Sequence, residues 1–374
     1  MSILRKHPAG LTGLAGLVAC CFLAAGENGG WPCFRGNAAM SGEAAGGFAA
    51  QPRLSWSREM GGPVESTAAI SSGTFYVGTG RGELVSGSMA AGEIRWRYAA
   101  GAPVSASPCV EDGVVYVGDE NGVFHAVDAQ TGKQIWRFKT GDKIISSAAK
   151  AGGKVLFGSY DRCLYALETA RGGLCWKLET DAQVHGSPCV SGETVAVAGC
   201  DGRLRLVDLK TGRQRAVIVS NANYGSTPAA SGGMVFAAAL SGEMQAVRLA
   251  DGKTVWTFAE SEQAGEGGFY ASPAANAQMV VGASKSGNVY AWRPADGMLL
   301  WRWCGGGGME GSPVLAVDRV FVPILDGTLA AVNVLTGKLT WRFKAGGQFK
   351  ASPAIAQGCL LVGNTDGQMY CFGN

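Results

Sequence analysis

Apolar positions along this chain come in runs of four to six residues, and nearly every run is bounded by glycine, asparagine or aspartate. One stretch, "SPCVEDGVVYVGDENGVFHAVDAQTGKQIWRFKTG" at 107–141, carries the whole pattern. SPCV reads as a short first strand, and its proline removes a backbone donor where no ladder bond is needed. VVYVG reads as the second strand, followed by Asn121-Gly122, a pair that tolerates the positive φ values of a tight hairpin. VFHAVD, a Gln-Thr-Gly turn and KQIWRF then supply the third and fourth strands. No long segment sustains a period of 3.6 residues, so the pattern predicts an all-β chain.

The fourth strand betrays a repeat. "TGKQIWRF" at 131–138 returns as "TGKLTWRF" at 336–343, and tryptophans stand at Trp56, Trp96, Trp136, Trp176, Trp256, Trp301 and Trp341. Their separations are 40, 40, 40, 80, 45 and 40 residues. The gap of 80 covers a degenerate copy with Ala216 at the tryptophan position, and the gap of 45 holds a five-residue insertion. First strands begin at Thr67, Ser107, Ser147, Ser187, Thr227, Ser272, Ser312 and Ser352, giving eight units. The eighth unit stops after its third strand at "GQMYCFGN", whereas "RLSWSRE" at 53–59 is a fourth strand with no predecessors. Together these predict an eight-bladed β-propeller of four-stranded antiparallel blades, its ring closed by the N-terminal strand. The expected organisation is an export signal over 1–26, an N-terminal extension over 27–52 and the propeller over 53–374.

Composition agrees, since 58 glycines and only 16% charged residues in 374 suit many short strands joined by tight turns. The formal charge is +3; without Arg5 and Lys6 of the leading segment it falls to about +1, which is no footprint for nucleic acid. That leading segment has basic "RKH" (5–7), apolar "LTGLAGLVACCFLAA" (11–25) and small residues before Glu27, the grammar of an export signal. Ala24-x-Gly26 fits simple cleavage. "LVAC" (17–20) also fits a lipoprotein signal with Cys20 lipidated, although "CFLA" beyond the cysteine stays apolar. Fifteen apolar residues are short for an uncleaved span. Nine cysteines follow Gly26 without CxxC spacing; buried thiols acting as small hydrophobes are the favoured reading, with pairing left open.

The repeated S-P-x-V…V-Y-V-G-x-x-D-G-x-L-Y-A-L-D-x-x-T-G-x-x-x-W resembles the pyrroloquinoline-quinone (PQQ)-like propeller repeat over roughly residues 53–374. "WPCFRGNAAMSG" at 31–42 resembles the lead-in of many exported PQQ-like propeller proteins. The resemblance implies one of two branches. Quinoprotein dehydrogenases hold PQQ and Ca²⁺ on the propeller axis, against a vicinal cysteine disulfide and a Glu/Asn/Asp calcium set. The outer-membrane assembly scaffolds of the BamB type are non-enzymatic rings of similar length. In this chain the one vicinal pair, Cys20-Cys21, falls in the export segment, and no CxxCH attaches a haem. The expectation is therefore a BamB-like scaffold for envelope or outer-membrane proteins, monomeric, periplasmic or extracellular, with no catalytic residues, cofactor or metal. PQQ with calcium belongs to the redox alternative, and surface carbohydrate binding is a second alternative.

Candidate chemistry is sparse. His125 takes the slot of Tyr165 and Tyr290 in the repeat, which argues for packing, and the two histidines beyond the leading segment, His125 and His185, cannot build a histidine-rich metal site. Asp161, Asp201, Asp326 and Asp366 recur at one hairpin corner, as turn residues do. The tryptophans hold one register on the outermost strand and are expected to pack blades together rather than to stack sugars. The residue two before each first-strand start should rim one mouth of the axial channel: Glu65, Ser105, Ile145, His185, Gly225, Tyr270, Glu310 and Lys350. Tyr224 adjoins this set, and the insertion "AESEQAGEGGFYAS" at 259–272 brings Phe269 beside Tyr270. A binding surface is expected there, because loops on a rigid scaffold carry specificity.

Overall fold

The structure, a computed structural model, describes residues 29–46, 48–260 and 268–373. The export segment with Cys20, and residues 261–267 of the insertion, lie outside the described residues. Eight antiparallel four-stranded sheets form the ring. Blade 1 contains Ala69–Ser71, Thr74–Gly78, Glu83–Ser88 and Ile94–Ala99, ordered from the axis outward. Blades 2 to 7 repeat this order over 109–139, 149–179, 189–219, 229–259, 274–304 and 314–344. Blade 8 takes three strands from 354–373 and its outermost strand, Arg53–Glu59, from the N-terminal side of the chain. Arg53 pairs with Gly373 and Glu59 with Gln368, so the ring closes as the two incomplete units predicted.

Two repeating devices join neighbouring blades. The first is the tryptophan. Trp136 Nε1 donates to Thr169 O of the next blade at 2.9 Å, and Trp56, Trp96, Trp176, Trp256 and Trp301 make the equivalent bond. The indole face lies on the glycine of the next blade's turn: a Cβ at Gly172 would sit 2.6 Å from the Trp136 ring. With φ of +70° at the same residue, that turn admits glycine alone. This is why Thr-Gly and Trp recur together. The glycine of one copy receives the indole of the copy before it.

The second device is a belt of hydroxyls around the axis. Thr67 N–H donates to Ser107 Oγ, Ser107 N–H to Ser147 Oγ, and so on to Ser352, seven consecutive links of 2.8–3.0 Å. Ser107 and its six successors thereby each satisfy a buried amide of the preceding blade.

The innermost strand of a blade is an edge, and alternate N–H groups face the channel without a sheet partner. Residues 31–44 supply the missing acceptors. Ile70, Val110, Val190, Ala230, Ala275 and Leu315 occupy equivalent positions in blades 1, 2, 4, 5, 6 and 7. Their N–H groups donate in ring order to the carbonyls of Trp31, Pro32, Ala38, Ala39, Ser41 and Gly42, at 2.6–2.9 Å. Glu43–Ala44 then pairs parallel to the inner strand of blade 7. The segment expected to be a separate extension thus winds beneath the axis and plugs one mouth of the channel.

At the heart of this plug sits Arg35, fully buried at φ +61°. Its Nη2 donates to Pro273 O at 3.0 Å, and among the described residues Nε and Nη1 have no protein partner. Gly42 folds against the guanidinium where any side chain would collide with it. Burial lowers the Arg35 pKa to about 9, so the group stays cationic at neutral pH.

Candidate functional site

With one mouth plugged, the axial channel becomes a blind well of about 240 Å³. Its wall is the hydroxyl belt, and Phe34 of the plug also lines it. Its rim consists of Glu65, Ser105, Ile145, His185, Gly225, Tyr270, Glu310 and Lys350, so all eight predicted positions converge on one opening. They do so because each lies at the same step of its blade, on the segment that leads into the innermost strand.

Tyr224 and Phe269 correct the expectation. Both are fully buried, Tyr224 donating to Gln245 Oε1 at 3.0 Å and Phe269 packing edge-on to Trp292. They belong to the column one residue earlier, with Val64, Val104, Ile144, Val184, Met309 and Phe349, all fully or almost fully buried between blades. Adjacent residues in extended backbone face opposite ways, so the step from Tyr224 to Gly225 moves from core to channel. That column is uniformly apolar, which is the signal that separates it from the rim.

Polar contacts organise the rim into two arcs. Lys350 Nζ meets Glu65 Oε1 at 3.2 Å, and Ser105 Oγ donates to Glu120 Oε1 at 2.5 Å. Across the well, His185 lies between two phenols, with Nδ1 2.7 Å from Tyr160 Oη and Nε2 3.4 Å from Tyr270 Oη. Gly225 makes the second contact possible, since a Cβ there would lie 3.1 Å from the Tyr270 ring. Lys285 Nζ sits 4.8 Å from the centre of the Tyr270 ring and 2.8 Å from Glu310 Oε1. Lys143 Nζ lies over Tyr160 at 4.6 Å.

Burial, with a smaller contribution from Lys143, lowers the His185 pKa and favours neutral imidazole. Neutral imidazole has one donor and one acceptor nitrogen, which suits a histidine held between two hydroxyls. Burial likewise pushes the Tyr160 phenol up to about 12 and raises that of Tyr270. The arc is therefore aromatic and hydrogen-bonding, with cations at its ends.

Lys143, Tyr160, Lys285 and Glu120 were not singled out from sequence. Glu120, Tyr160 and Lys285 share one repeat column, the residue after the second strand's exit, where each backbone N–H bonds the lead-in segment of its own blade. His125, expected to pack, is buried and held by Asp119 Oδ2 at 3.0 Å and Tyr98 Oη at 3.0 Å, away from the well. Asp161, Asp201 and Asp326 accept backbone N–H groups of their own turns.

The two rim carboxylates are each paired with a lysine, and among the described residues no three His, Cys, Asp or Glu side chains converge to hold a cation. That donor set does not fit calcium-bound PQQ.

The fold has many solved relatives. BamB from Moraxella catarrhalis superposes with a TM-score of 0.74 at 22% identity, covering 86% of this chain and 98% of that one. Quinohemoprotein alcohol dehydrogenase from Comamonas testosteroni gives 0.78 at 15% identity, covering 94% and 82%. The computationally designed Ika8 protein gives 0.76 at 16%, covering 84% and 98%. At these identities the likeness establishes the fold, which scaffolds, enzymes and designs share. No protein of curated function matches the sequence significantly. The family profile described as outer membrane protein assembly factor BamB matches residues 42–147, 120–216, 216–304 and 303–373, so the chain belongs to this family of PQQ-like propellers.

Proposed function

We propose that the protein is a non-enzymatic scaffold of the cell envelope that binds partner proteins through the rim of the blind well. The observation that carries this reading is the contrast between columns. Packing positions keep one chemical character around the ring, apolar or aromatic in the buried column and Ser or Thr in the belt, whereas the rim set places Glu, Ser, Ile, His, Gly, Tyr, Glu and Lys at one geometric station. Positions freed from a structural task diversify for recognition. Family membership supports the choice of partner, since the profile is described by outer-membrane assembly and the BamB fold covers nearly its full length here. The export signal read from sequence agrees with an envelope location.

Chemistry argues the same way. The rim offers aromatic, cationic and anionic contacts within one opening, the mixture that anchors protein interfaces. The redox alternative rests on fold likeness to the quinohemoprotein alone.

The test is affinity capture from the native envelope, using parent protein and the triple variant Tyr270→Ala, Glu310→Ala, Lys350→Ala. Captured outer-membrane assembly proteins should fall at least about tenfold with the variant, as loss of hot-spot contacts would give. Equal capture by both proteins would sink the proposal. A quinone absorbance in the captured parent would favour the redox reading instead.

A further inference from the structure

The plug and blade 2 each place a cysteine at their contact. Val110 N–H donates to Pro32 O at 2.7 Å, which sets Cys33 directly beside Cys109. Both thiols are buried, and both belong to one apolar cluster with Tyr116, Phe124 and Trp136. Neither side chain has a task there that a small aliphatic residue would not perform. From this juxtaposition we propose that Cys33 and Cys109 are a cross-linking site, joined by a disulfide that fastens the N-terminal plug to blade 2 and keeps the axial well closed below.

Cys33 and Cys109 meet through their thiols, as Cys359 and Cys371 also do. The Cys109 thiol, and then burial, hold the Cys33 thiol well above its ordinary pKa. Once the plug is seated Cys33 is therefore a poor nucleophile, and its exchange belongs to the moment when the plug docks. Cys359 and Cys371 form the other close pair, but Cys371 stands opposite Leu361, which places Cys359 on the diagonal. Diagonal partners in a sheet are separated by ~7–8 Å, beyond the usual reach of a disulfide.

The oxidant required is an exchangeable disulfide. The Cys109 thiolate attacks one sulfur of glutathione disulfide and expels glutathione thiolate. Cys33 thiolate then attacks the Cys109 sulfur of the mixed disulfide and expels the second. The two cysteines lose two electrons and two protons, and glutathione disulfide gains both as two glutathione thiols.

The experiment takes full-length protein, recovered folded and reduced, and incubates it with glutathione disulfide in urea below the unfolding midpoint, so that the plug opens transiently. After removal of urea, denatured samples are alkylated without reductant and digested. The expected result is one linked peptide containing Cys33 and Cys109, two hydrogens lighter than the separate peptides and split by reduction. Oxidation should also raise the melting temperature by roughly 5 °C, a gain that Cys33→Ser and Cys109→Ala both lack. Quantitative alkylation of both cysteines, or recovery of either joined to glutathione or to another cysteine, overturns the proposal. The peptide map of the parent decides the matter even if a variant does not fold.

Discussion

Arg35 is a charge the fold tolerates rather than uses for stability. Its single carbonyl acceptor leaves most of the desolvation penalty uncompensated. Arg35→Met keeps the length of the side chain and removes the charge, and denaturant unfolding should find it unchanged to about 3 kcal/mol more stable. Arg35→Ala, which leaves a void, should lose stability. The pH dependence gives a second check. The folded-state pKa, about 9, lies below the ordinary arginine value of 12.5, so from about pH 9 upward the folded form releases the proton before the unfolded form does. The unfolded state then binds more protons, and this group's share of stability rises with pH above 9. The parent should gain relative to Arg35→Met across that window, and a constant difference between them would contradict the assignment. None of this was legible in "WPCFRGN", because burial of an arginine depends on where the segment goes and not on its own sequence.

Among the elements, the strands and their order could be read directly. A fixed 40-residue period, Asn-Gly and Thr-Gly turns, and a tryptophan in one register leave little freedom. The rim was legible for the same reason, since a repeat assigns one geometric station to each column. What failed was the step of one residue at Tyr224 and Phe269, where aromatic character was taken for exposure although the column is apolar around the whole ring. Ala216 tests the role of that register from the other side. Gly252 meets the Ala216 methyl, with methyls of Leu206 and Ile218 behind it, where equivalent turns meet an indole, and the strand Gln214–Val219 exposes Val217 and Val219. Its amides should exchange with solvent about tenfold faster than matching amides of blades 2 and 3, corresponding to about 1.4 kcal/mol of local stability. Equal protection in hydrogen-exchange mass spectrometry would show that blade 5 compensates elsewhere.

For the molecule as a whole, the N-terminal segment does two jobs that sequence reasoning separated. Arg53–Glu59 completes blade 8, as the odd strand count foretold. Residues 31–44 close the channel, which the count of strands did not reveal because a plug adds carbonyl acceptors rather than a strand to each blade. Deleting 1–59 should remove both. The strand Gln368–Gly373 would then be a free edge, and six inner-strand amides would lose their acceptors. Gel filtration should find the truncated protein associated or aggregated where the parent elutes as a monomer, the usual fate of an uncovered edge. A monomeric, equally stable truncation would refute this account.

The pairing of Arg53 with Gly373 has a temporal consequence. A chain emerging N-terminus first presents Arg53–Glu59 early and must keep it unsatisfied until Gln368–Gly373 arrives, over three hundred positions later. Blades 1 to 7 use mostly neighbouring chain and are able to form as they appear, but the clasp waits until Gln368–Gly373 is available. Contacts so distant in sequence form slowly, and an uncommitted strand with apolar Leu54 and Trp56 is exposed to wrong partners throughout the delay. Arrival of Gln368–Gly373 is thus the event that commits the molecule, and any holding factor it requires acts on Arg53–Glu59 until that strand is free.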